Sequence, residues 1–219
     1  MRTTTLERGG FSITVPASWW EFDIRPESRD DTIRRLVNDR VREVPELADY
    51  RSVITGFLRS AAREAYDSGA VYCGCMAQGF DGVPVSAQVT VSVVGARTSE
   101  GKILPTAPEA VAGSLREKVA RRENDTWRKV TMVAIPEVGQ AARTYGIEDV
   151  ELPGSTKSVR VVLMQTFIPL PGTGDKVALV SASSPVLDLA EAFFDIFDAV
   201  TSTFRFVAQE PGAIVRSGQ

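Results

Sequence analysis

A chain of 219 residues, 43% hydrophobic and 24% charged, has the composition of an ordinary globular protein and enough apolar side chains for a sizeable core. Its formal charge of −3, from 25 Lys+Arg against 28 Asp+Glu, excludes the strong positive field that nucleic-acid or anionic-membrane binding needs. The chain has no histidine, which excludes His-dependent catalytic triads, imidazole zinc sites and the usual pH switch near neutrality.

The first eight residues carry no signal-type apolar run, and no uncharged stretch approaches the ~20 residues of a membrane span. A cytoplasmic protein without membrane insertion is expected, with 1–8 a flexible start. Phe11, Ile13 and Val15 alternate with polar residues, Pro16-Ala17-Ser18 marks a turn, and Trp20, Phe22 and Ile24 continue the alternation. The pattern predicts an N-terminal hairpin. Ser28 and Asp31 have capping-box spacing and open a helix carrying Ile33, Leu36 and Val37, which closes near Pro45. A second helix places Leu47, Tyr50, Ile54, Phe57, Leu58, Ala61 and Ala65 on one face and stops at Gly69.

Residues 71–78 and 83–94 are predicted strands joined by Gly79-Phe80-Asp81-Gly82, an antiparallel hairpin by its short loop. In the second strand, Val85, Ala87, Val89, Val91 and Val93 fill one face, and Ser86, Gln88, Thr90 and Ser92 the other. The sheet therefore has a polar face. Thr106 and Glu109 form a second capping box, with Pro108 in the first turn and Val111, Leu115 and Val119 pointing inward. Three strands follow, around 127–135, 141–150 and 158–168. The turn Pro171-Gly172-Thr173-Gly174-Asp175 leads into a fourth, 176–183. Ser184 caps the last helix, with Pro185 at its first position. The apolar pattern 186–200 then runs into Thr201-Ser202-Thr203-Phe204-Arg205-Phe206. Runs of strands broken by helices predict an α+β fold with an antiparallel sheet, a single domain over 9–207 and a flexible tail, 208–219.

Three segments carry a family resemblance: Gly10-Phe11-Ser12-Ile13-Thr14-Val15-Pro16 with Trp19-Trp20, Lys176-Val177-Ala178-Leu179-Val180 with its Ser-rich continuation, and Phe193-Phe194-Asp195-Ile196-Phe197 leading to Phe204-Arg205-Phe206. In this order, across about 9–207, they resemble the PsbP-like family, whose relatives include a Ran-binding nuclear import factor and bacterial DcrB-like proteins. The resemblance implies a bacterial member with an antiparallel sheet of about six or seven strands flanked by helices. It also implies binding rather than catalysis, since the group includes photosystem subunits, a GTPase partner and chaperones for secreted effector segments. All three segments are core-forming, so no family site residue is carried over. The helical stretch 28–68 is larger than the family's minimum.

Several clusters are candidates for function. Cys73-Gly74-Cys75 would turn two thiols the same way in a strand. Two ligands do not make a zinc site, so they read as small buried apolar residues, and no metal or cofactor is expected. Trp19 and Trp20 point to opposite sides if extended. Both pack in the simpler reading; in the sharper one, Trp19 lines a partner groove. Asp188, Glu191, Asp195 and Asp198 form an acidic stripe on the last helix, either a solvated face or a dock for a basic partner. Arg34, Arg35, Arg40, Arg42 and Arg51 form a basic region, either a solvated face or a dock for an anionic partner, phosphate or, with Tyr50 nearby, single-stranded nucleic acid. The glycine pairs in the turns lack phosphate-loop spacing, and Ser181-Ala182-Ser183-Ser184 lacks a nucleophile elbow. The sequence thus predicts a non-enzymatic protein-binding module, adaptor or chaperone-like, with Trp19, Arg34, Arg35, Asp188, Glu191, Asp195 and Asp198 as candidate partner residues. Its partner is another protein, a peptide segment or a second copy, and not a nucleic acid. The alternative is a small-molecule or lipid-binding domain using the Ser86-Gln88-Thr90-Ser92 face. A carboxylate-dependent enzyme ranks last.

Overall fold

Side chains alternate between the two faces of each strand of the main sheet, and that phase decides what packs on each face. The structure, a computed structural model, describes residues 2–6, 10–80, 83–98, 100–120, 127–151 and 158–207. In chain order the elements are β1 (Arg2–Leu6), β2 (Phe11–Val15), β3 (Trp20–Glu21), α1 (Arg29–Glu43), a 3-10 turn (Pro45–Tyr50), α2 (Arg51–Asp67), β4 (Ala70–Phe80) and β5 (Val83–Gly95). Then come α3 (Pro108–Ala120), β6 (Trp127–Ile135), β7 (Gly139–Glu151), β8 (Ser158–Pro169), β9 (Lys176–Ser184), α4 (Ala190–Ser202) and β10 (Arg205–Phe206). The large sheet has seven strands in the order β3-β4-β5-β9-β8-β7-β6, and a second sheet has the order β1-β2-β10. Every pairing is antiparallel. This is the α+β arrangement, with an antiparallel sheet flanked by helices, that the sequence predicts. The tail 208–219 and the 81–82 turn lie outside the described residues.

Two apolar cores result. The larger unites β2, one face of the large sheet and α4, with Ile13, Val89, Val91, Ile168, Phe197 and Phe204 fully buried. Phe11 stacks on Phe204 with ring centroids 5.3 Å apart, and Phe206 meets Phe204 edge-on. The two ends of the chain thus close on each other, with Phe11 opposite Phe206 in register. The smaller core lies where β3 and β4 meet α1 and α2, around Ile33, Leu58, Ala62, Cys73 and Cys75. Tyr72 belongs to the larger core while Cys73 and Cys75 belong to the smaller, so the alternation along β4 assigns its two faces to different cores.

The fold departs from the sequence reading in several places. Phe11–Val15 and Trp20–Glu21 do not form a hairpin. Both edges of β2 are taken by β1 and β10, and β3 crosses to pair with β4 at Trp20 opposite Cys75. Arg2–Leu6, assigned to a flexible start, is a strand in register with Val15 to Phe11. Neither capping box forms. The Ser28 hydroxyl donates to Asp23 Oδ2 at 2.8 Å, and that of Thr106 to the Gly174 carbonyl at 3.3 Å. The Arg25 guanidinium, with Ser28 adding a hydrogen bond, holds the Asp23 carboxyl well below the usual carboxylate range. Among the described side chains of α3 the fully buried one is Ala112, with Val111 and Leu115 half-buried, while the side chain of Val119 lies outside those described. Ser184 ends β9, and α4 begins at Ala190 rather than Pro185. Ser184 still stabilises the turn between them, accepting the Val186 N–H at 3.1 Å while its hydroxyl donates to the Ser86 carbonyl. Gly69 does end α2, in the left-handed region at φ 78°, where a side chain would be strained.

Candidate binding groove

The sheet registers align two rows of side chains across all or nearly all of the sheet on the face opposite α4. One row runs Trp20, Cys75, Gln88, Ser183, Leu163, Gly146, Arg128. The next runs Cys73, Thr90, Ser181, Gln165, Thr144, Val130. At one end the cysteines and Trp20 lie in the smaller core beneath α1 and α2. In the middle, beside α2, Gln88, Thr90, Ser181, Ser183, Leu163 and Gln165 floor an open groove of about 1000 Å³.

The walls of the groove differ in chemistry. On the α2 side, Phe57 and Ala65 lie below an exposed rim that carries Arg63, Glu64 and Asp67. Opposite them, Val150, Val159 and Val161 continue the apolar step begun by Leu163. The floor itself is neutral, made of hydroxyls and primary amides that both donate and accept hydrogen bonds. Within it the Thr90 hydroxyl lies 3.5 Å from the Ser181 carbonyl.

Beyond the floor stands a buried charge cluster. Arg128 and Glu148 are 10% and 8% exposed and face each other, Nε to Oε1, at 3.1 Å. Arg128 also donates from Nη1 to Glu148 Oε2 at 3.3 Å and from Nη2 to Thr144 Oγ1 at 3.2 Å and Gln165 Oε1 at 3.4 Å. Its charge is thus spent inside the protein. At the opposite end, burial and then the Glu64 carboxylate push the Cys73 thiol up to about 12, and burial raises Cys75 as well. Both are free, fully buried thiols, as the sequence reading has them. Among the described residues, no group of three or more Cys, Asp or Glu is arranged to hold a metal ion.

The predicted partner residues do not converge on one site. Trp19 and Trp20 are each 5% exposed, Trp19 in the larger core and Trp20 in the smaller, so Trp19 does not line a groove. Arg40 lies over the Trp20 ring at 5.0 Å and also bonds to the Ala17 carbonyl. Arg34 pairs with Asp31 at 2.8 Å, and Arg35 reaches the Asp31 carbonyl at 3.4 Å, both on the exposed face of α1. Asp188, Glu191 and Asp195 are exposed around α4, on the other side of the large sheet. Asp198 leaves the stripe by pairing with the buried Arg143 of β7, whose Nε donates to Thr166 at 3.0 Å. By contrast, Ser86, Gln88 and Thr90 of the alternative reading do line the groove. Gln165, Ser181 and Ser183 were missed, although they alternate with buried Met164, Thr166, Val180 and Ala182 as visibly as Gln88 does with Val89.

Among the described residues, no helix is long and apolar enough to cross a membrane. No protein-family model matches the chain, and no curated protein matches it in sequence. The search of solved structures returns LpqN, involved in cell envelope biogenesis of Mycobacterium tuberculosis, at 11% identity and a TM-score of 0.45, over 94% of this chain and 91% of that one. It also returns the Saccharomyces cerevisiae Ran-binding protein Mog1p, at 12% identity and a TM-score of 0.42, over 94% of this chain and 95% of that one. At these identities no functional residue carries over from either protein to this chain.

Proposed function

We propose that this chain is a non-enzymatic protein-binding module, adaptor or chaperone-like, that holds an extended segment of another protein in the groove between α2 and the sheet. The observation that carries this reading is the neutral, two-sided lining of an open groove. Main chain presents one donor and one acceptor at every residue and no charge. The hydroxyls and amides of Gln88, Thr90, Ser181, Ser183 and Gln165 suit that pattern better than they suit a charged headgroup or phosphate. Along a strand these side chains recur every second residue, at about 6.8 Å, the repeat of alternate residues in an extended peptide. Val159, Val161 and Leu163 beside them would take the apolar side chains of the same segment. The openness of the groove favours a segment over a small molecule, which is normally enclosed over most of its surface. Arg63, Glu64 and Asp67 on the rim offer both signs to the partner's charged residues. The free thiols of Cys73 and Cys75 suit a reducing, cytoplasmic setting.

The test is an array of random ten-residue peptides, with the hits titrated against isotope-labelled protein. Binding that shifts the resonances of Val161, Leu163, Gln165 and Ser181 is the expected result. Binding that maps to α1 or to the exposed face of α4 would overturn the groove as the site. If the array yields nothing while palmitate or a phospholipid micelle shifts the same resonances, the occupant is an amphiphile and the peptide reading falls.

A further inference from the structure

The buried Arg128–Glu148 pair beside the groove has a consequence for what the groove can bind. Arginine has only donors, so a glutamine amide that meets it must turn its oxygen toward it. Arg128 Nη2 lies 3.4 Å from Gln165 Oε1, and the same nitrogen donates to Thr144 Oγ1. The guanidinium is itself fixed by Glu148. The Gln165 oxygen is therefore claimed from within the protein, and the amide nitrogen, with no hydrogen-bond partner among the described residues, is left for the groove that Gln165 lines. An unconstrained glutamine could offer either end. This one offers its N–H pair.

We infer that Gln165 is the oriented hydrogen-bond donor of the groove floor, that Arg128 is the positioning residue that orients it, and that the bound segment places a carbonyl oxygen over it. The inference rests on the peptide reading of the groove and narrows it: a main-chain carbonyl, or the side-chain carbonyl of Asn or Gln, occupies the centre of the site. The same geometry disfavours a donor-only ligand group there, because an ammonium would meet the N–H pair head-on.

Two measurements test this. The first needs no ligand. The Gln165 side-chain amide protons, assigned by their loss in Gln165→Met, should exchange with water like those of an exposed amide. Strong protection would place them against the protein and overturn the orientation. The second uses an array peptide that binds the wild type and a series of its analogues, each with one carbonyl reduced to methylene. One analogue should bind the wild type about three- to tenfold more weakly, the range for one hydrogen bond. That same analogue should bind Gln165→Met no worse than the parent peptide does. The paired change Arg128→Met with Glu148→Met removes both members of the buried pair. It should reproduce most of the loss by freeing the amide to flip. If it does not fold, Gln165→Glu serves instead: an acceptor-only group at the same position should lose the carbonyl-dependent affinity while keeping the wild-type denaturation midpoint. Equal losses for every analogue in wild type and Gln165→Met would overturn the inference and leave the peptide reading intact. Failure of all peptides, with fast exchange at Gln165, would overturn the peptide reading and with it the carbonyl assignment, leaving only the amide's orientation.

Discussion

On one side of β5, Val89 and Val91 are fully buried in the core that holds Phe197; on the other, Gln88 and Thr90 floor an open groove. The same contrast repeats on β8, where Val162, Met164 and Thr166 are buried and Val161, Leu163 and Gln165 are half-exposed. It repeats on β9, with Val180 and Ala182 against Ser181 and Ser183. One strand therefore serves two purposes one residue apart. Apolar burial, the main source of stability, is concentrated on the α4 side in this part of the sheet. On the groove side, α1 and α2 cover the β3–β4 end and α3 packs on β6, β7 and β8, and the floor between them is left to hydrogen-bonding groups that add little to folding.

If that division holds, truncations on the two faces should differ sharply in cost. Phe197 is fully buried and stacks on Phe193 with centroids 5.6 Å apart. Phe197→Ala should therefore cost about 3–5 kcal/mol, the transfer of the ring plus the cavity it leaves. Urea unfolding measures it directly. A loss below about 1 kcal/mol would show that this face collapses around the gap and is not the tightly packed side.

A smaller effect sharpens the comparison at a buried charged contact on the α4 face. Arg143 is buried, whereas the side chain of its partner Asp198 is 58% exposed. The two halves of the pair should therefore respond unequally. Asp198→Ala leaves a buried guanidinium with Thr166 as its remaining partner and should cost about 1–3 kcal/mol. Arg143→Met keeps an apolar stem and leaves Asp198 in water, so its cost should stay within about 1 kcal/mol. Denaturation midpoints of the two single variants and the double variant close the cycle. Equal costs for the two single changes would mean that Arg143 is hydrated in place of its partner, and that charge on this face is tolerated as it is on the other.

The sequence makes the strand faces legible wherever alternation is strict, since a period of two assigns each residue to a face without knowledge of the partner strand. β5 shows this most clearly, and its polar residues include three that line the groove. The antiparallel α+β class was legible on the same grounds. What was not legible depends on distant partners. Nothing local tells Trp20 to pair with Cys75 rather than return along β2, and nothing in the acidic stripe marks Asp198 as the partner of a residue 55 positions away. The Ser28 and Thr106 hydroxyls fit capping boxes by spacing, but Asp23 and the Gly174 carbonyl take them instead. Ser181 and Ser183 fall inside the predicted strand 176–183, but their place beside Gln88, Thr90 and Gln165 depends on the pairing of β9 with β5 and β8, which nothing local specifies.

The smallest stability effect should come from that same segment. Ser181 sits mid-strand on the groove floor, half-buried, between Thr90 and Gln165 in register. Its own carbonyl is close to the Thr90 hydroxyl, a contact that replacing the Ser181 side chain does not remove. Ser181→Val substitutes a β-branched residue suited to a pleated surface for a small polar one. The unfolding free energy should change by no more than about 0.5 kcal/mol in either direction. Affinity for a groove-binding peptide should nevertheless fall several-fold, because a valine there fills space and offers no hydrogen bond. A strand that gains or keeps stability while losing affinity has a polar side chain that was retained for binding rather than for folding. If unfolding and affinity fall together, the floor hydroxyls belong to the structure, and the two faces of the sheet differ only in how deeply they are buried.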